Sequence, residues 1–378
     1  MSDVYANFLA YHLKPISDLL EDPEITEVLI NGPNRIFIER EGRLQPCPNH
    51  KFGSAAELMA ACINLSQISG QVLDESRPSM DGSMPDGSRV HIVVPPLATE
   101  VHVAIRKFSN ITYSIDDLIA RKALNHRAAR LLDTSVNLKR NILVSGGTGS
   151  GKTTLLNALT GFINPAERLI VLEDVRELKL LQPHVLSLLV RPEDKHGRGK
   201  VTTRELLVSA LRMRPDRILV GEVRGGEALD LLNALNSGHG GTMASLHANS
   251  PHQALTKLET LCLFAGAELP LKAIRMEICN AVHVVVQITR LMDGSRRISE
   301  ISEVHPQLDE AGGYRTTTIY KLRLRGKDEA ERLVGELEPT GAVPTFMDDA
   351  ISQGLKVKMS DFTLEEDTEA FRRPDTDR

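Results

Sequence analysis

The chain has 378 residues, of which 41% are hydrophobic and 25% charged, and a formal net charge of −5. That length exceeds what one hydrophobic core usually holds, so two domains are expected, and the composition excludes fibrous, collagen-like and wholly disordered classes. Aromatic residues make up only 4%, with no Trp, and the balance is acidic. This argues against base-stacking recognition of single strands and against a basic DNA clamp, so no specific nucleic acid is expected as a partner. Cys47, Cys62, Cys262 and Cys279 form no CxxC pair, so neither a zinc site nor a disulfide framework is indicated and a reducing cytoplasm fits. No run approaches the roughly 18 apolar residues of a membrane span, and Met1 to Leu20 lacks a basic end followed by an apolar signal core. Any work at a membrane is then expected from its surface.

A polar helix pattern with apolar Val4, Phe8, Tyr11 and Leu19 comes first, followed by strand patterns over Ile25 to Gly32 and Arg35 to Glu39 and a turn at Glu41-Gly42 before Leu44. Ser54 caps a helix to about Ser69, and alternating runs cover Arg89 to Val94 and Val101 to Arg106. Residues 1–110 therefore predict a small α+β domain. A linker and two opening helices are expected over 111–140, as the start of a second domain spanning 111–305. Short apolar runs at Asn141 to Ser145, Arg168 to Leu172, Arg217 to Val220, Thr242 to Leu246 and Val282 to Ile288, separated by helical stretches, are the pattern of a mostly parallel, buried sheet. Residues 306–378 predict a C-terminal extension with one strand around Tyr320, Leu322 and Leu324 and an acidic, mobile tail from Ser360.

Gly146, Gly147, Thr148, Gly149, Ser150, Gly151, Lys152 and Thr153 match GxxxxGK(S/T) between an apolar strand and a helix expected over Thr154 to Phe162. In that context the glycines let successive backbone N–H groups curl around phosphates and the helix N-terminus adds positive potential. Lys152 can reach the β and γ phosphates, and the Thr153 hydroxyl can ligate Mg²⁺. ATP and Mg²⁺ are thus the expected cofactors. Such a site also needs acids for water and metal. Glu173 with Asp174, and Glu222 after Gly221, each end an apolar strand, where ligands of open α/β sheets sit. His247, just past the strand that follows the Gly-rich turn at Gly238, fits a hydrogen-bonding sensor of the γ-phosphate or attacking water, with a structural histidine as the plainer alternative. No LSGGQ-type signature and no NKxD is present, which sets aside ABC transporters and small GTPases.

In these residues the chain resembles the secretion and pilus-assembly ATPases of the type II/type IV secretion superfamily, and within it the tight-adherence pilus (CpaF-like) branch. Carrying the resemblance are Glu27 to Arg40, Asp86 to Val90, Ala104 to Phe108, the phosphate loop through Thr154, Leu172 to Asp174, Leu211 to Arg217, Gly221 to Gly225 and Thr242 to Asn249. Met80 to Met84 departs from it by lacking an arginine. The resemblance implies an α/β fold in which a small α+β (PAS-like) N-terminal domain precedes a RecA-like P-loop NTPase domain. It implies a homo-hexamer that hydrolyses ATP to power pilus assembly or protein secretion. Localisation would be cytoplasmic, peripheral at the bacterial inner membrane through platform or secretion-channel partners. Glu173 falls in the family's Asp box, Glu222 in its Walker B motif as a metal-handling acid alongside Thr153, and His239 and His247 in its His box. Arg89 and Arg106 fall where the family's N-terminal domain sends arginines to the γ-phosphate, the plainer alternative being a solvated strand face. For Arg212, Arg214, Arg217 and Arg224, surface or intersubunit salt bridging stands as an even alternative to a functional role. The rival function is a conjugative DNA-transfer motor or helicase-like ATPase.

Overall fold

The computed structural model describes residues 11–40, 42–84, 86–108, 112–191, 193, 198–266 and 268–364. The expectations at Val4, Phe8 and Glu41 lie outside the described residues. Two compact units emerge: Met1–Tyr113 with Arg168–Glu222, and Ser114–Glu167 with Val223–Arg378.

In the first unit a six-stranded sheet runs in the order β3-β2-β1-β6-β5-β4. Its strands are β1 (Ile25–Asn31), β2 (Ile36–Arg40), β3 (Arg43–Pro46), β4 (Ser79–Ser83), β5 (Arg89–Val93) and β6 (His102–Arg106). All its pairings are antiparallel. Alternation sets the faces: Val28, Ile30, Val90, Ile92, Val103 and Ile105 are buried, so Glu27, Arg89 and Arg106 stand on the opposite face. The helix Ala55–Ile68 adds Leu58 and Leu65 to the core, and the Ser54 side chain accepts from the Glu57 N–H at 3.1 Å as its N-cap. Of the first helix pattern, a short helix at Ser17–Glu21 is present with Leu19 buried, whereas Tyr11 is exposed and takes no part in the core.

The same unit holds three parallel strands, β8 (Leu169–Glu173) between β9 (Val185–Leu189) and β10 (Arg217–Val220). Every residue of β8 and β10 is buried, which is why both read as unbroken apolar runs. Arg217 is buried with them and is therefore not a surface residue.

The second unit centres on β7 (Ile142–Ser145), flanked in parallel by β11 (Met243–Leu246) and β12 (Val284–Arg290). Beyond β12 the sheet turns antiparallel through β13 (Arg296–Leu308), β14 (Tyr314–Lys327) and β15 (Leu333–Pro339). The sequence offered one strand past Val304; the chain builds the end of one and two more. The stretch after Ser360 also differs from expectation. Phe362 is buried, Asp361 is buried and ion-paired with Arg130 on the helix His126–Asn137, and the Tyr320 hydroxyl donates to the Asp361 carbonyl. Residues 365–378 lie outside the described residues. Among the described residues no helix is long and apolar enough to cross a membrane.

Candidate nucleotide site

In the second unit, β7 ends at Ser145 and the helix begins at Lys152 and ends at Thr160, two residues ahead of expectation at both ends. The intervening loop depends on glycine. Gly149 and Gly151 have φ of +67° and +97°, and a Cβ on Gly146 would stand 2.4 Å from the Ile288 carbonyl oxygen. The Ser150 hydroxyl donates to the Gly147 carbonyl at 2.8 Å, closing the turn from inside. Lys152 is buried; its Nζ donates to the carbonyls of Gly146 and Gly147 at 3.1 Å each. Both ring nitrogens of His247, one residue past β11, lie 3.4 Å from the same Nζ. The structure thus brings Lys152 and His247 together, joining two residues 95 positions apart. Thr153 and Thr154 are half-buried in the first helical turn. His239 stands away from this cluster in role: its carbonyl accepts from the Thr242 hydroxyl, and its buried Nδ1 has no hydrogen-bond partner.

The first unit carries the acids. Glu173 closes β8 and is buried; one oxygen accepts from the N–H groups of Glu177 at 2.9 Å and Leu178 at 2.8 Å, and the other, Oε2, is buried without a partner. Burial is the largest influence on this carboxyl and outweighs the two N–H donors, so its pKa is pushed up to about 7. That is the range in which a carboxylate can both accept and return a proton. Glu222 follows at the end of β10, half-buried. The two strand ends are neighbours: the Gly221 N–H donates to the Leu172 carbonyl at 2.8 Å, and a Cβ on Gly221 would meet the Glu173 Cγ at 3.1 Å. Glycine before Glu222 leaves room for the Glu173 side chain.

The arginines of the first unit form a cross-strand row. Arg106 has Glu27 of β1 as its Cα partner on one side and Arg89 of β5 on the other. Arg106 is exposed, while half-buried Arg89 reaches Glu177 with Nη1 at 3.5 Å from Oε1. Because the Glu177 N–H is bound to Glu173, Arg89 lies one residue away from the buried acid's hydrogen-bond shell. Sequence reading missed both carboxylates: only the strand register brings Glu27 beside Arg106, and Glu177 is 88 residues from Arg89. An acid one strand over at matching register was the available signal for Glu27; for Glu177 there was none.

In the second unit Thr153 offers a hydroxyl oxygen, and in the first Glu222 offers carboxylate oxygens while the buried Glu173 Oε2 has no hydrogen-bond partner. Hard divalent cations such as Mg²⁺ take oxygen donors of this kind.

A glycine-built loop opening a helix, a lysine turned over it, and strand-end acids define a P-loop nucleoside triphosphatase. More narrowly, the chain belongs to the family described as "Type II/IV secretion system protein", which matches residues 10–329. It is 36% identical over 325 residues, 84% of this chain and 91% of the other, to a Mycobacterium tuberculosis protein whose name assigns it provisionally to conjugal transfer. It is 35% identical to the type IV secretion system protein VirB11 of Brucella suis, over 77% of this chain and 89% of that one. Its fold is similar to that of the pilus retraction motor PilT in a crystal structure with bound ADP, at TM-score 0.53 and 15% identity, covering 95% of this chain and 96% of that one. The chain is an ATPase of the type II/IV secretion superfamily, with a RecA-like domain preceded by a smaller N-terminal domain.

Proposed function

We propose that the chain works as a homo-hexameric Mg-ATP hydrolase that powers pilus assembly or protein secretion from the cytoplasmic face of a bacterial inner membrane. In this reading residues 1–110 form the N-terminal domain, 111–305 the ATPase domain and 306–378 an extension, and platform or channel proteins hold the ring at the membrane. The observation that carries the reading is the phosphate loop, whose positive-φ glycines and inward-turned Lys152 are already shaped to wrap a polyphosphate. Lys152 binds the β and γ phosphates, and loop residues Gly146 to Thr154 donate backbone N–H groups. Glu173 takes the proton of the attacking water on a carboxyl tuned to titrate near neutrality. His247 reads the phosphate end of the site through its contact with Lys152. Arg106 and Arg89 neutralise charge on the transferring phosphoryl group. Thr153 and Glu222 would hold Mg²⁺, which when bound screens the phosphate charge. Light scattering of the protein with a non-hydrolysable ATP analogue should show a hexamer. A strict monomer at micromolar concentration with full ATPase activity would overturn the ring.

The name of the Mycobacterium tuberculosis relative favours a second reading, a motor for conjugative DNA transfer. Single- or double-stranded DNA should then raise the ATPase rate several-fold, whereas the secretion reading expects no response to DNA.

A further inference from the structure

Two arginines that the sequence reading passed over lie against the phosphate loop. β12 and β13 form a hairpin in which Arg290 and Arg296 are direct Cα partners, so both project to one face. The Arg296 Nε donates to the Gly149 carbonyl at 2.9 Å, and a Cβ on Gly151 would stand 3.3 Å from the Arg296 Cδ. A Cβ on Gly149 would stand 3.5 Å from the Arg290 Nη1. The two positive-φ glycines of the loop are therefore each backed by a guanidinium side chain, one of them bonded to the loop's backbone.

The hairpin tip is itself braced. Asp293 Oδ1 accepts from the Ser295 N–H at 3.0 Å and its hydroxyl at 2.6 Å, while Oδ2 accepts from the Leu333 N–H at 2.7 Å. Buried Arg297 donates to the carbonyls of Gly335 and Leu333. The start of β15 thus fixes the turn, giving the extension past residue 305 a structural task at the nucleotide loop. Like charges directly opposed across two strands repel and lower stability. Such an arrangement beside an anion-binding loop is offset when a polyanion lies against it.

We propose that the β12–β13 hairpin is a further wall of the nucleotide site. Arg296 positions the phosphate loop through the Gly149 carbonyl, and Arg290 contributes a charged contact to the polyphosphate of a nucleoside di- or triphosphate. The proposal rests on the ATPase reading and names residues that reading does not use. Its test is a fluorescent-ADP titration of the full chain, with competition by ATP, melting temperatures and steady-state kinetics, for wild type, R290A, R296A, R290K, R296K and K152A. Arg290→Ala and Arg296→Ala should each raise the Kd for both nucleotides about tenfold and raise KM in step, with kcat and melting temperature little changed. Arg290→Lys should recover most of the affinity because it needs only charge. Arg296→Lys should recover little, because lysine has no Nε–H directed at Gly149. Both side chains are exposed, so the Arg290 variants keep the test open even should an Arg296 variant fold poorly. Wild-type Kd within twofold in both alanine variants, while Lys152→Ala abolishes binding, would overturn the hairpin proposal and leave the ATPase reading standing. Failure of the wild-type protein to bind either nucleotide would overturn both.

Discussion

The phosphate loop of the second unit and the acid and arginine cluster of the first are built on different physics. The loop is made of backbone: glycine φ values, carbonyls turned toward Lys152 Nζ, and a helix start. The cluster is made of side chains, with Glu173 held by two N–H donors and left with one unsatisfied oxygen, and Arg89 tied to Glu177. A backbone-built site needs contiguous residues at fixed spacing and tolerates little substitution. A side-chain-built site draws on distant positions and tunes its chemistry by burial. Binding should therefore fail with the loop and turnover with the cluster.

The sharpest way to break that division is at Arg106. As a γ-phosphate arginine it is worth about 10³ to 10⁵ in kcat, whereas an arginine on a solvated strand face contributes at most about 1 kcal/mol of stability through an exposed ion pair. Arg106→Ala should leave melting temperature and ADP affinity nearly unchanged while turnover falls by orders of magnitude, and Arg89→Ala should do the same less severely. Turnover within about twofold of wild type, or an unfolded variant, would assign either arginine to bracing the sheet.

Glu173 sharpens the comparison through pH. As a general base with a pKa of about 7, it should make kcat fall as pH drops below neutrality, by about tenfold per pH unit once well below, and Glu173→Gln should abolish that limb. Stability carries the opposite cost. Between the ordinary carboxyl pKa of 4.5 and about 7 the folded protein keeps a proton that the unfolded chain has released, so this group's contribution to stability declines as pH rises through that window. His283, buried with its pKa pushed down to about 4, acts with the reverse sign at lower pH. The difference between wild type and Glu173→Gln cancels such other groups, and the variant should gain stability over wild type from pH 5 to pH 8. A constant difference in chemical denaturation across that range would show Glu173 to titrate normally.

The smallest effect is expected in the C-terminal segment. Asp361 is buried against Arg130, and that guanidinium helps hold its carboxyl below the ordinary range against the opposing effect of burial. Asp361→Asn should cost about 1 to 3 kcal/mol of stability in urea unfolding while ATP affinity stays at the wild-type value. A matching loss of affinity would mean that the C-terminal segment acts on the loop directly.

What was legible in the sequence follows the same split. The phosphate loop, the buried parallel strands and the Ser54-capped helix announce themselves because each is a local pattern. β4 was hidden in a segment marked by glycine and proline, and β9 has no residue fully buried to give it a pattern. β13 carries Arg296, Arg297, Glu300 and Glu303 among its apolar residues, and its pairing with β14 shifts register between Ile301 and Ser302, which breaks the alternation that would have shown a strand. Arg290, Arg296, Glu27 and Glu177 acquire their neighbours only through hairpin or long-range register. The tight-adherence branch rests on the sequence motifs alone; the similar proteins named here carry conjugation, type IV secretion and pilus-retraction names.

The most direct test sets Lys152→Ala beside Glu173→Gln in one experiment that measures ATP affinity by equilibrium titration and turnover by phosphate release. Lys152→Ala should lose both. Glu173→Gln should bind ATP as tightly as wild type while kcat drops by at least about 10²-fold. A Glu173→Gln protein that hydrolyses ATP at the wild-type rate, or one that has lost ATP binding along with turnover, would contradict the division between a binding loop and a catalytic acid.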